Sequence, residues 1–158
     1  MRLDSTTPLG LEAIYNSKVA VSKIQKKTNY DFVWFSDELP SIADGIILKN
    51  NVAVALYEVK SRNISSEELF GNFNGEWLIS YDKIHELYNI TKHLRVSFVG
   101  ILYCIKDDVS LAATFWDGSG AMKIKWRVEQ TKTRKTVNGG EAERPNAFFD
   151  MTRAIKYT

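Results

Sequence analysis

Three ionisable side chains stand where a hairpin should be apolar. Residues 43–62 read ADGIILKNNVAVALYEVKSR, two aliphatic strands around a pair of asparagines, yet Asp44, Glu58 and Lys60 interrupt them. A three-residue loop at 49–51 opposes Asp44 to Leu56. Opposed residues share a face, and so do residues two apart on one strand, so Asp44, Leu56, Glu58 and Lys60 would then lie on one side of the sheet, with the two carboxylates as diagonal neighbours. A two-residue loop would oppose Asp44 to Tyr57 and separate the carboxylates unless a bulge restored them. Two carboxylates on an apolar face repel and are costly to desolvate unless a cation neutralises them. A hard divalent ion, Mg²⁺ or Mn²⁺, suits oxygen ligands, and a lysine on the same face can orient or deprotonate a water. An internal Asp–Lys or Glu–Lys ion pair at a strand end is the alternative reading of the same residues.

The elements that must hold these residues follow from periodicity. Apolar residues at Leu11, Ile14, Tyr15, Val19, Val21 and Ile24, ahead of a lysine-rich end, predict an amphipathic helix over about 10–27. A short strand, YDFVWF, leads through the turn SDELPS into the hairpin strands 42–48 and 52–61. Residues 63–80 mix Ser, Asn and Gly with isolated aromatics at no steady period, and are expected to be a loop. A second helix over about 80–94, with Ser80 or Asp82 as N-cap, precedes the apolar strand VSFVGILYCI. Further strands are expected in SLAATFW, AMKIKWRVEQ and NAFFDMTRAIKY, with a hairpin turn at DGSG and a long exposed loop over 133–145.

Asp44, a hairpin spacer and then Glu58-Val59-Lys60 resemble the signature of the PD-(D/E)XK nuclease superfamily. The likeness extends over about residues 10–105, whose expected order of helix, strand, Asp strand, E-x-K strand, helix and buried strand is similar to that superfamily's α-β-β-β-α-β core. The residue before Asp44 is Ala43 rather than the nominal proline. The resemblance implies an α/β fold with a central mixed sheet flanked by helices, a restriction-endonuclease-like core, and extra C-terminal strands over about 106–158, all within one domain. It implies Mg²⁺- or Mn²⁺-dependent hydrolysis of phosphodiesters, with Asp44, Glu58 and the Val59 backbone carbonyl as metal ligands and Lys60 steadying the developing charge. Two further residues match by position. Glu12 lies in the first helix, where members such as the Holliday-junction resolvases carry a Glu, and Lys83 opens the second, where a Lys or Gln is often aimed at the active site. DNA is the implied partner, and a homodimer the implied assembly for cutting two strands. The rival reading is a catalytically silent nuclease-fold protein that serves as a nucleic-acid-binding or assembly module.

Charge points the same way. The net charge is only +2, but residues 123–135, KIKWRVEQTKTRK, carry six cationic side chains against Glu129 alone. Lys123, Lys125, Arg127, Lys132, Arg134 and Lys135, with Arg144, are the candidates for holding a phosphate backbone. A solvated basic strand is the plainer reading. Other chemistries lack parts: His85 and His93 have no acidic or thiol neighbour at zinc spacing, WDGSG is no P-loop, and the lone Cys104 in an apolar run reads as core. Without an apolar leader or a membrane-length stretch, the expected compartment is the cytoplasm.

Overall fold

The structure is a computed structural model and describes residues 7–35, 41–133 and 142–158. Helix α1 (Pro8–Gln25) starts where Thr7 caps it, its Oγ1 accepting from the Gly10 N–H at 3.1 Å, with Pro8 in the first turn. Strands β1 (Asp31–Trp34), β2 (Gly45–Lys49) and β3 (Val52–Arg62) form an antiparallel meander. Helix α3 (Tyr81–Leu94) ends at Arg95 in the left-handed conformation and leads into β5 (Ser97–Cys104), which pairs in parallel with β3. Strands β6 (Val109–Trp116) and β9 (Ile155–Tyr157) complete a six-stranded mixed sheet in the order β1-β2-β3-β5-β6-β9.

The stretch expected to be a loop, 63–80, holds two elements: helix α2 (Ser66–Asn72) and strand β4 (Glu76–Ser80). Ser65 caps α2 by accepting from the Glu68 N–H at 3.0 Å, and Asp107 holds its start through the Ser66 N–H at 3.0 Å. β4 pairs with β8 (Ala142–Asp150), about seventy residues on, which in turn pairs with β7 (Trp126–Thr133) in a second, three-stranded sheet. No local pattern could announce that pairing. The last expected strand, over 146–157, also divides, because the chain turns at Met151–Ala154 and leaves β8 in one sheet and β9 in the other. The strand expected over 121–130 instead starts at Trp126, and residues 142–145 of the expected loop belong to β8.

Each face of the main sheet has its own core. On one, Ala20, Val21 and Ile24 of α1 pack against Ala55, Tyr57, Val59 and Ile101. On the other, α3 (Ile84, Leu87) and the small sheet (Trp77, Ile79, Ala147, Phe149) cover Leu56, Phe98, Leu102 and Phe115. The small sheet lies close at Gly100, where a Cβ would come within 2.6 Å of the Trp77 ring and nearer still to Phe115. Cys104 is fully buried, and burial pushes its thiol up to about 11. Among the described residues no helix is long and apolar enough to cross a membrane.

Candidate active site

The hairpin turns on two residues. Asn50 and Asn51 both have positive φ, as a two-residue turn of the primed type demands, so Lys49 pairs with Val52 and Leu48 with Ala53. That register alone would bring Asp44 level with Tyr57 and put the carboxylates on opposite faces. A bulge intervenes: Val54 is an extra residue on β3, Ile47 pairs with Ala55, and Gly45 with Tyr57. Beyond that last pair Asp44 lies in the bend before β2, its N–H on the Tyr57 carbonyl and its carboxylate on the Val59 N–H, to either side of Glu58. Asp44 is therefore brought beside Glu58 by a two-residue turn with a bulge, not by the three-residue loop that would oppose it to Leu56.

Gly45 is needed at this point. A Cβ there would meet the Val33 carbonyl oxygen at 2.2 Å and the Tyr57 hydroxyl at 2.5 Å, so only glycine lets β1 lie this close beside the Asp44 position. Asp44 then stitches the strand end. Its N–H donates to the Tyr57 carbonyl at 2.9 Å, and its Oδ2 accepts from the Val59 N–H at 2.7 Å. Burial, and next the charge on Glu58, push the Asp44 carboxyl up to about 6, against the opposing hydrogen bond from Val59 and the charges of Lys83 and Lys60.

Glu58 is only 2 % exposed on a sheet face otherwise lined by aliphatic and aromatic residues. Lys83, in the first turn of α3, reaches across and donates its ammonium to Glu58 Oε1. Lys60, the next same-face residue of β3, holds its Nζ 3.6 Å from that same oxygen. Glu58 Oε2 is buried and has no hydrogen-bond partner among the described residues. Two carboxylates and two ammonium groups thus meet at the entry to β2, along the second half of β3 and at the start of α3, and among the described residues one carboxylate oxygen remains unsatisfied there.

Four of the five side chains singled out from the sequence meet here: Asp44, Glu58, Lys60 and Lys83. Glu12 does not join them. It is exposed on α1, which packs on the opposite face of the sheet, and no hydrogen bond or ion pair among the described residues links it to Asp44 or Glu58. The Val59 N–H as Asp44's donor was not anticipated, because it depends on where β2 stops. Among the described residues no group of three or more His, Cys, Asp or Glu side chains gathers, so protein ligation here means two carboxylates and backbone oxygen.

The basic run looks different in space. Lys123 pairs with Asp117 at 3.3 Å. Arg127 grips Glu76 through Nε and Nη2 at 2.9 and 3.0 Å, bonds Glu129 through Nη1, and lies over the Phe148 ring at 4.1 Å. Lys125 lies near the Asp150 carboxylate, and Lys132 is opposite Glu143 across the β7–β8 ladder. Arg144 is exposed, whereas Arg134 and Lys135 lie outside the described residues. The Arg127–Glu129 pair was legible, since residues two apart on a strand share a face; Glu76 was not, since it comes from β4. Neither a protein-family model nor a curated protein sequence matches the chain.

Proposed function

We propose that the chain is a metal-dependent phosphodiesterase of restriction-endonuclease-like architecture that cuts nucleic acid, DNA first among substrates. The observation that carries this reading is the pair Asp44 and Glu58, drawn together by a bulge on a buried face, with Glu58 Oε2 buried and unpartnered and Lys60 beside it. A buried carboxylate beside a half-buried one is costly to the fold, and their repulsion is relieved by a cation. The succession α1, β1, β2, β3, α3, β5, with β3 and β5 parallel, supports the architectural part, α2 and β4 being an insertion before α3.

Asp44, Glu58 and the Val59 carbonyl would hold the ion, a hard-oxygen set suited to Mg²⁺ or Mn²⁺. When bound, the ion would supply Lewis-acid polarisation of a phosphoryl oxygen. The chain's own part is positional and electrostatic. The Val59 N–H fixes Asp44 Oδ2, and β3 places Lys60 on the face of Glu58. There its ammonium, partly open to solvent, can meet the negative charge that develops on phosphate oxygens during attack. Exposed Lys132 and Arg144 on the β7–β8 ribbon are the described cations best placed to touch a backbone phosphate.

Incubation with linear, circular, branched and single-stranded DNA, and with RNA, in Mn²⁺ tests the reading. Cleavage of any of them that is lost on chelation supports it, and none with every substrate removes it. The silent binding module keeps one observation in its favour: the Lys83 ion pair already neutralises Glu58 without a metal.

A further inference from the structure

Glu58 carries two lysines on one oxygen and none on the other. The two contacts differ. Lys83 makes a direct hydrogen bond, while Lys60 stands off at 3.6 Å. The charge of Lys83 also acts on Asp44, more strongly than that of Lys60 does. With two carboxylates and two ammonium groups the cluster is balanced as it stands, so a divalent ion entering it would leave an excess of two positive charges at a buried place. One ammonium then has reason to leave.

Lys83 is the one built to go. It occupies the third residue of α3, near the positive end of the helix dipole, where a cation is disfavoured, and among the described residues the Glu58 carboxylate is its hydrogen-bond partner. Both ammonium groups have a path to water, the Lys83 side chain being 29 % exposed and that of Lys60 39 %, so exposure does not choose between them and the helix position does. Lys60 lies on the strand that carries Glu58 and does not need that carboxylate to keep its place on the face.

We propose that Lys83 is a displaceable internal counter-ion: in the metal-free protein its ammonium neutralises Glu58 through Oε1, and the charge of a divalent cation bound by the same carboxylate drives it off. The proposal rests on the reading of Asp44 and Glu58 as a cation site. It assigns the two lysines different duties, with Lys83 guarding the metal-free centre and Lys60 remaining for the reaction. It also makes the ion pair a threshold, because an ion pair engaged about nine-tenths of the time lowers the apparent affinity for the competing ion about tenfold.

The test is calorimetric titration of Mn²⁺ at about pH 8 into the wild-type protein, Lys83→Met and Lys60→Met, with metal-free melting temperatures measured alongside. The expected result is tighter Mn²⁺ binding by Lys83→Met than by wild type, by about tenfold, a lower metal-free melting temperature for that variant, and closure of the gap by saturating Mn²⁺. Equal or weaker binding by Lys83→Met, with wild type still binding, overturns the counter-ion and leaves the cation site standing. Absence of binding in all three proteins overturns both. Should Lys83→Met fail to fold, the wild-type protein gives the answer: on Mg²⁺ saturation the Lys83 ε-methylene NMR signals move to the positions of a solvated lysine, and signals that stay put while Mg²⁺ binds overturn the proposal.

Discussion

Around Asp44 and Glu58 the chain draws two like charges together on a buried sheet face, whereas along β7 it takes a conspicuously basic stretch and sets acids against it at the surface. The second arrangement is what a fold does for solubility and register. Arg127 with Glu76 and Glu129, and Lys123 with Asp117, are complementary, exposed and individually worth little. The first works against folding, since burial and mutual repulsion hold Asp44 well above the usual carboxylate range. A cluster of one sign in sequence therefore says less about function than a clash of one sign in space.

That contrast can be broken most directly at the carboxylates. Asp44→Asn and Glu58→Gln should each lower metal-dependent cleavage by roughly 10² to 10³-fold while circular dichroism shows an intact fold. Wild-type rates in either would place the chemistry elsewhere. Lys60→Met comes next, with a loss of about a hundredfold at saturating Mg²⁺ and unchanged DNA affinity, the pattern of an interaction made in the transition state. If added Mg²⁺ restores the rate in full, Lys60 only balances charge.

The pH dependence of stability sharpens the comparison without any substrate. Because the folded pKa of Asp44, about 6, lies above the ordinary 3.8, the folded metal-free protein holds a proton that the unfolded chain has already released. Stability from this group is therefore lost as pH rises from about 4 to about 6 and stays lost above that. Asp44→Asn keeps an acceptor for the Val59 N–H and removes the charge. It should stabilise the metal-free protein by up to about 2 kcal/mol at pH 8, with the gain gone near pH 4, as read from denaturant melts. A gain that is the same at both pH values would mean that Asp44 is not strained.

Smaller effects are expected at the basic surface. Replacing Lys132 and Arg144 together should flatten the salt dependence of DNA affinity by about one to two counterions. Arg127→Ala should leave affinity within about twofold and lower the melting temperature slightly, because its guanidinium is already committed to carboxylates. The reverse ranking, with Arg127 dominating binding, would make its ion pairs a resting state.

What the sequence disclosed divides by range. Local signals were sound for α1, α3, the first strands and the buried strand β5, which follow from period and composition; strand alternation placed Glu58 and Lys60 together, but Asp44 joins them through a bulge behind a two-residue turn, not through the three-residue loop that the sequence suggested. Lys83 is singled out only by the family resemblance; by local pattern alone it reads as an ordinary surface lysine. Pairings between distant segments were hidden, and with them β4, whose five residues acquire strand character only beside β8. The reach of Glu12 from α1 was misjudged for the same reason, since which face a helix covers is decided by the whole sheet.

Val54 contributes no functional group, yet the centre depends on it. Strand faces obey a rule of odd and even, and the two-residue asparagine turn leaves the hairpin on the wrong parity; one inserted residue restores it. Were Val54 paired within the ladder behind the same turn, Gly45 would stand opposite Leu56 instead of Tyr57, and the chain entering β2 would fall one residue out of step with Glu58 while every acid and lysine of the signature stayed in the sequence. Such a chain would keep the residues of the signature and lose their convergence.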